Sequence, residues 1–487
     1  MHIDTFHDPI LSCAQAALHQ VLLRHRQPDT EHLSTAHPAM LGVVAHGKRR
    51  APPASHGHGK LIGGIGKIVG KIADGMEAEA EKLAAEIEGI ISKCAELYVD
   101  YCYASWTGNE AEKQKLYEEL KFSTCDPLWA EAIIEYEELK VSHGQVQYVQ
   151  LQWPTGLTEI ADTVKIAIVG DWGTGTALAQ GVLEAAAAHQ PDLVIHLGDI
   201  YYAGTPAEEG PNFLALLNQV FPGDGGKPGI PVYNLPGNHD YYSGGQGFFN
   251  GLGVLGVQTG SYFCLRTAQW QVIGLDTGYH DRDPFTVDSN ITFLTKDQVE
   301  WLREAMGTCG SRRTVLLTHH QLYSAAGDVG QTKEPDGETV YWGVNPYLHK
   351  QLKPYFGQVD LWLWGHEHNT VVFYSPVDAQ GKLDMPAGRC IGSGAIPMLM
   401  AEDPYTPATG LVGPDGIAVP QMNMTYQLGN DGTDYNHSFA ILSLGSSGAT
   451  VDYYQVPQQG AASLLLSEPV PPPITTPTTA KHAPAAV

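Results

Sequence analysis

The sequence predicts an α/β protein with an N-terminal α-helical module. Three observations carry this reading. From about 145 to 456, short β-branched apolar runs alternate with stretches of helical periodicity. Several of these runs end on a glycine followed by Asp, Asn or His, and strand exits are where α/β sheets place their ligands. From 60 to 143 the pattern is helical throughout.

In chain order, residues 1–59 are irregular and rich in histidine (His2, His7, His19, His25, His32, His37, His46, His56 and His58), which reads as a flexible, solvated tract. The run Gly47-Lys48-Arg49-Arg50-Ala51-Pro52-Pro53 marks a linker. Leu61, Ile62, Ile65, Ile68, Val69, Ile72 and Met76 then fall on one helical face, opposite Lys60, Lys67 and Lys71. Gly63, Gly64, Gly66 and Gly70 each weaken an isolated helix by about 1 kcal/mol, and they permit close packing. The expectation is docking on the catalytic domain or a second subunit, with membrane contact through 60–76 as the alternative. Further helices at 110–121 and 127–140 complete an α-helical module over 60–145.

Between 146 and 456 the predicted strands are 164–169, 192–197, 230–235, 262–266, 271–276, 313–318, 359–364, 371–375, 389–392, 438–444 and 449–454. Predicted helices are Thr176–His189, Pro211–Phe221, Thr295–Met306 and Pro346–Phe356. Thr295 with Gln298 three residues on has the form of a capping box. Residues 457–487, rich in Pro, Thr and Ala, are expected to be a disordered tail.

Composition narrows the function. Of 487 residues, 43% are hydrophobic and 17% charged, which suits a globular chain with one large domain plus appended segments. A net charge of −25 excludes the basic footprint of non-specific nucleic-acid binding. It does not exclude a phosphate substrate, because bound metals invert the local charge. The seven cysteines are scattered without a C-x-x-C pair, so free buried thiols are expected. No basic leader with an apolar core opens the chain, and no run reaches the roughly 18 apolar residues of a membrane span, so a cytoplasmic location is expected.

Five strings carry chemistry: Gly-Asp-Trp-Gly at 170–173, Gly-Asp-Ile-Tyr-Tyr at 198–202, Gly-Asn-His-Asp at 237–240, Thr-His-His at 318–320 and Gly-His-Glu-His at 365–368. Asp171 and Asp199 are hard oxygen donors, and a carboxylate can bridge two cations. Asn238 offers a neutral carbonyl oxygen. His319, His366 and His368 offer imidazole nitrogens, which select a transition metal over magnesium or calcium. Each string alone is weak. Together, at successive strand exits, they describe a two-metal hydrolase site.

With these motifs the chain resembles the calcineurin-like metallophosphoesterases over roughly 165–455. The resemblance implies a four-layer α/β/β/α sandwich. It is closest to the purple acid phosphatases of the tartrate-resistant type. Gly173 stands where most of the superfamily carries the histidine of an Asp-x-His motif, and Tyr202 stands three residues after the second aspartate, where the purple acid branch has its tyrosine. The implied ligands are Asp171, Asp199, Tyr202 and His368 for one metal, and Asp199, Asn238, His319 and His366 for the other. His319 is preferred to His320 because it aligns with the family's His-x-Pro-x-aromatic-Ser, although Gln321 replaces the proline.

The resemblance further implies hydrolysis of phosphate monoesters by metal-bound hydroxide. His239 is the expected general acid, Asp240 its orienting partner, and His320 a second substrate-facing group. The implied cofactors are Fe(III) at the tyrosine site with Fe(II), Zn(II) or Mn(II) beside it, or two manganese ions. Loops at Thr277–Asn290 and Tyr323–Tyr341, with 401–437, are expected to shape the pocket for a small phosphate ester. A phosphodiesterase for cyclic nucleotides or other small diesters is the alternative enzyme. A membrane- or partner-binding protein acting through the helical module is the alternative of another class. A protein Ser/Thr phosphatase is disfavoured, because Tyr201-Tyr202-Ala203-Gly204 stands where that branch has Asp-Arg-Gly.

Overall fold

Strict alternation along the strands sorts their apolar side chains between two facing sheets and two flanking helical layers. The computed structural model describes residues 144–476 apart from 285, 287, 288, 336, 378, 379, 401 and 402, together with 109, 111, 135, 136, 139, 140 and 142. The chain divides into two units, 1–138 and 139–487. The predicted His-rich segment, the 60–76 amphipathic face and most of the helical module lie outside the described residues, as does the tail beyond 476.

The strands are β1 Leu157–Glu159, β2 Val164–Val169, β3 Leu193–His196, β4 Val232–Asn234, β5 Phe263–Arg266, β6 Trp270–Leu275, β7 Arg313–Thr318, β8 Gln331–Lys333, β9 Thr339–Tyr341, β10 Val359–Trp364, β11 Thr370–Val372, β12 Gly388–Ile391, β13 His437–Gly445, β14 Gly448–Val456 and β15 Ser463–Val470. One sheet runs β1-β5-β6-β7-β10-β12-β11, the other β15-β14-β13-β2-β3-β4, and β8-β9 is a separate hairpin. Strands β2, β3 and β4 pair in parallel, as do β6, β7, β10 and β12, so their carboxyl ends line up in each sheet.

The seven helices are α1 Ala177–Ala187, α2 Pro206–Glu209, α3 Ala215–Val220, α4 Asn238–Tyr242, α5 Gln246–Leu255, α6 Lys296–Gly307 and α7 Pro346–Leu352, with a π-helical turn, Gly210–Leu214, leading into α3. Ile166 and Ile168 of β2 and Leu361 and Leu363 of β10 meet in the core between the sheets. Ala167 and Val169 instead face Val182, Leu183 and Ala186 of α1. Trp362 and Trp364 face Trp301 and Leu302 of α6 and Leu348 of α7. This is the predicted four-layer α/β/β/α sandwich. Each large apolar side chain so buried contributes about 1.5–3 kcal/mol.

Three local readings change. Thr295 caps α6 as predicted, its hydroxyl accepting from the Gln298 N–H. The Gln298 amide, however, reaches across to both the N–H and the carbonyl of Asp276, so it ties α6 to the exit of β6. Helices α4 and α5 and the β8–β9 hairpin lie outside the predicted elements, although α5 buries Phe248, Leu252 and Leu255 at helical spacing. Disorder from 457 is also corrected, because Ser463–Val470 is an edge strand on β14. Its Glu468 forms a buried two-oxygen pair with Arg389 at 2.9 Å for each bond and accepts from the Tyr453 hydroxyl at 3.0 Å. Pro469 is tolerated because an outer strand has no further neighbour needing its missing N–H. Among the described residues, Cys264, Cys309 and Cys390 are free and buried. No described helix is long and apolar enough to cross a membrane.

Candidate metal centre

The carboxyl ends of β2, β3, β4, β7 and β10 deliver Asp171, Asp199, Asn238, His319 and the pair His366 and His368 to one region. Six described non-glycine residues have positive φ, and three of them are here: Asp171 (54°), Asp199 (74°) and His366 (66°). Such backbone is uncommon outside glycine and clusters where function over-determines it. Gly198 is needed beside them, since a Cβ there would lie 2.6 Å from the Gly237 nitrogen and 2.7 Å from His319 Nδ1.

One group of donors is Asp171, Asp199 and His368, all buried. The hydroxyl of Tyr201 sits among them, 3.2 Å from Asp171 Oδ1, 3.2 Å from Asp199 Oδ2 and 3.0 Å from His368 Nε2. The sequence reading named Tyr202 for this place, and the structure puts Tyr201 there. Ile200 bridges to Gly173, the Tyr201 N–H donates to the Gly173 carbonyl, and the chain then turns, the Gly204 N–H donating to the Ile200 carbonyl. Tyr202 offers its carbonyl to the His239 ring.

The second group is His319, His366 and Asn238. Asn238 Oδ1 lies 3.1 Å from His319 Nε2 and 3.1 Å from His366 Nδ1, and those two nitrogens are 3.2 Å apart. The neighbours fix these orientations. His319 Nδ1–H donates to the Leu197 carbonyl at 3.0 Å, which turns Nε2 inward. Asn238 Nδ2 donates to the Tyr242 hydroxyl at 2.7 Å, which turns Oδ1 inward. Asp199 Oδ2 stands between the groups, 3.5 Å from His319 Nε2.

Electrostatics gives this arrangement a test of fit. Burial, with Asp199 alongside, raises the Asp171 carboxyl well above its ordinary range. Burial pushes Asp199 up to about 7, and burial with His320 beside it holds His319 well below the usual histidine range. One Tyr201 proton serves only one of the two carboxylates at a time. Two buried carboxylates and inward-facing lone pairs are an expensive set by themselves, and a well-made one around cations. Mixed imidazole, carboxylate, amide and phenol donors suit transition metals.

Residues 164–370 match the family described as calcineurin-like phosphoesterase. The match is to a domain family of hydrolases, and that fold implies divalent metal ions. Among solved structures it is similar to purple acid phosphatase PPD1 from yellow lupin (Lupinus luteus) seeds, with 14% identity, TM-score 0.38, and coverage of 63% of this chain and 54% of that one. It is also similar to GAP50, the anchor in the inner membrane complex of Plasmodium (13%, TM-score 0.37, 65% and 90%), and to Vacuolar Protein Sorting 29 from Cryptosporidium parvum (12%, TM-score 0.26, 63% and 97%). The chain thus spans about half of the lupin protein. No curated protein matches it.

Around this candidate metal centre the remaining predicted residues take distinct places. His239 is buried, its ring packed against Tyr201 and Tyr242 at centroid distances of 4.6 and 4.7 Å. Its Nδ1–H donates to the Tyr202 carbonyl at 2.7 Å, and its backbone N–H donates to Asp199 Oδ1 at 3.1 Å. Burial lowers it to about 4. Asp240 does not orient that ring, as the sequence reading expected. Its Oδ2 accepts from the backbone N–H groups of Asp199 at 2.9 Å and Gly237 at 2.8 Å, so it shapes the two ligand loops.

His320 joins His319 and His366 in a cluster of ring nitrogens within 4.8 Å of one another. Both of its nitrogens are nonetheless engaged. Nε2–H donates to Asp281 Oδ2 at 3.0 Å, and the Thr277 hydroxyl is 2.9 Å from Nδ1. Its ring packs on His366 at 4.3 Å. Both nitrogens are thus held by protein partners. Two supports escaped the sequence reading. Glu208 accepts from the N–H groups of Tyr202, Ala203 and Thr205, holding the loop after Asp199. Its signal was the Thr205-x-x-Glu208 capping box. Ser324 donates to Glu367, between His366 and His368.

Proposed function

We propose that this chain is a binuclear metal-dependent phosphomonoesterase of purple acid type acting on a small phosphate ester. The observation that carries the reading is Asp199 standing between two inward-facing donor sets, with a tyrosine hydroxyl in one of them. Asp171, Asp199, Tyr201 and His368 would hold one cation, and Asp199, Asn238, His319 and His366 the other. When bound, such a pair polarises phosphoryl oxygens and acidifies water. The absence of an Asp-x-His histidine at Gly173 and the nearby Tyr201 phenol favour Fe(III) at the first site, with Fe(II), Zn(II) or Mn(II) at the second.

Within the chain, His239 is the proton carrier for the leaving oxygen. Its Nδ1 is committed to the Tyr202 carbonyl, so Nε2 is the atom that delivers the proton. A phosphoryl dianion supplies the opposite charge that favours the imidazolium in this buried place. Asp240, Glu208 and the Thr277–His320–Asp281 chain hold the loops in register and touch no substrate.

The test is hydrolysis of para-nitrophenyl phosphate by the full chain, before and after chelation and metal addition. Metal-dependent activity that falls in His239→Ala supports the reading. Greater activity on bis-para-nitrophenyl phosphate than on the monoester overturns it in favour of a diesterase.

A further inference from the structure

A line of contacts leads from the metal centre to the surface. His366 carries the His320 ring, His320 donates to Asp281, and the residue before Asp281 is His280. The His280 ring lies parallel to Phe293, with centroids 3.8 Å apart and an interplanar angle of 16°. Phe293 meets Tyr347 edge-on at 5.9 Å and 80°. Phe293 and Tyr347 are 38% and 44% exposed.

The shelf is held in place. Asn290 Nδ2 donates to the His280 carbonyl at 2.7 Å and to Asp281 Oδ1 at 2.8 Å. Asn345, which caps the helix bearing Tyr347, donates from Nδ2 to the carbonyl of Thr292, the neighbour of Phe293, at 3.0 Å. Thr292 in turn donates to the Thr277 carbonyl. Arg282 is seated over the Tyr279 ring at 4.8 Å, with Nη1 donating to the Tyr279 carbonyl. Burial, then Arg282, lowers His280 to about 4, so the stack is uncharged near neutral pH.

We infer that His280, Phe293 and Tyr347 form a subsite for the organic group of the substrate, and that this group is planar and aromatic. The inference rests on the phosphoesterase reading and narrows its substrate class. An uncharged, pre-ordered stack ending in exposed rings offers π-faces to a flat ring and nothing specific to a polyol. The position beside Asp281 places the shelf next to the ligand-bearing loops, where the non-transferred part of an ester would lie.

The experiment measures binding, by calorimetry on the metal-loaded full chain, of two non-hydrolysable probes, phenylphosphonate and methylphosphonate. The expected result is an affinity for the phenyl compound about fivefold to tenfold greater, the scale of one aromatic contact. Phe293→Ala should abolish that preference and leave methylphosphonate affinity within about twofold, while Phe293→Leu, which keeps bulk, should lose most of it. A nucleoside phosphonate that binds as tightly as phenylphosphonate would identify a base as the flat group, and weaker binding an aryl ester. Equal affinities in the unmodified chain, or equal weakening of both probes by Phe293→Ala, overturns the inference while the phosphoesterase reading stands. If neither probe binds and no phosphate ester is hydrolysed, the phosphoesterase reading itself fails and the inference with it.

Discussion

Two places in this molecule bury carboxylates, and they neutralise them differently. On the outer strand β15, Glu468 meets Arg389 through two bonds of 2.9 Å, with the Tyr453 hydroxyl as a third partner. At the exits of β2 and β3, among the described residues, the ion-pair partners of Asp171 and Asp199 are His368 and His319, at 3.6 and 3.5 Å. Burial disfavours the charged form of those histidines and carboxylates alike. The first setting carries its own cation and is part of the fold. The second gathers donors without supplying positive charge, which is what a site for external cations requires. Burial of charge thus separates a structural element from a functional one only once the partner is examined.

The comparison can be broken by substitution on either side. Glu468→Ala leaves Arg389 buried and unpaired, and should lower stability by about 3–5 kcal/mol in denaturant unfolding, with activity per folded molecule unchanged. Asp199→Asn should behave oppositely. The metal-free protein should be no less stable, because an uncompensated buried charge is removed, whereas kcat on para-nitrophenyl phosphate should fall by roughly 10²–10³-fold. Adding a transition metal at a hundred times its dissociation constant should stabilise the unmodified chain by about 2.7 kcal/mol, and the Asp199→Asn chain much less. The smallest effect belongs to Asp240→Asn. Two loop N–H groups then rely on an amide oxygen in place of a carboxyl oxygen, and metal affinity should weaken about 10–100-fold, read by competition with a chelator.

Much of the centre was legible in the sequence because each donor follows a β-branched run and a glycine, and strand ends in such sheets point to one side. Asp171, Asp199, Asn238, His319, His366 and His368 all come together as the motifs suggest. What was not legible depended on geometry within a single loop. The tyrosine was assigned by counting three residues from Asp199, whereas the Ile200–Gly173 bridge and the turn that follows it present the second residue. Asp240 was paired with His239 by adjacency, yet its carboxylate turns back to the Asp199 and Gly237 N–H groups. His320 looked available until Thr277 and Asp281, some forty positions earlier, closed on both its nitrogens. The strand β15 was hidden by its prolines, although Ser463–Val470 carries the apolar residues and the glutamate that the sheet edge needs.

The most direct measurement is the metal content of the purified full chain, loaded and then freed of excess metal, compared with His366→Ala and Asp199→Asn. The account predicts two transition-metal ions per chain, a loss of one in His366→Ala, and a loss at both sites in Asp199→Asn, whose carboxylate stands between them. A chain that retains no metal, or one that still holds two ions in Asp199→Asn, would contradict it.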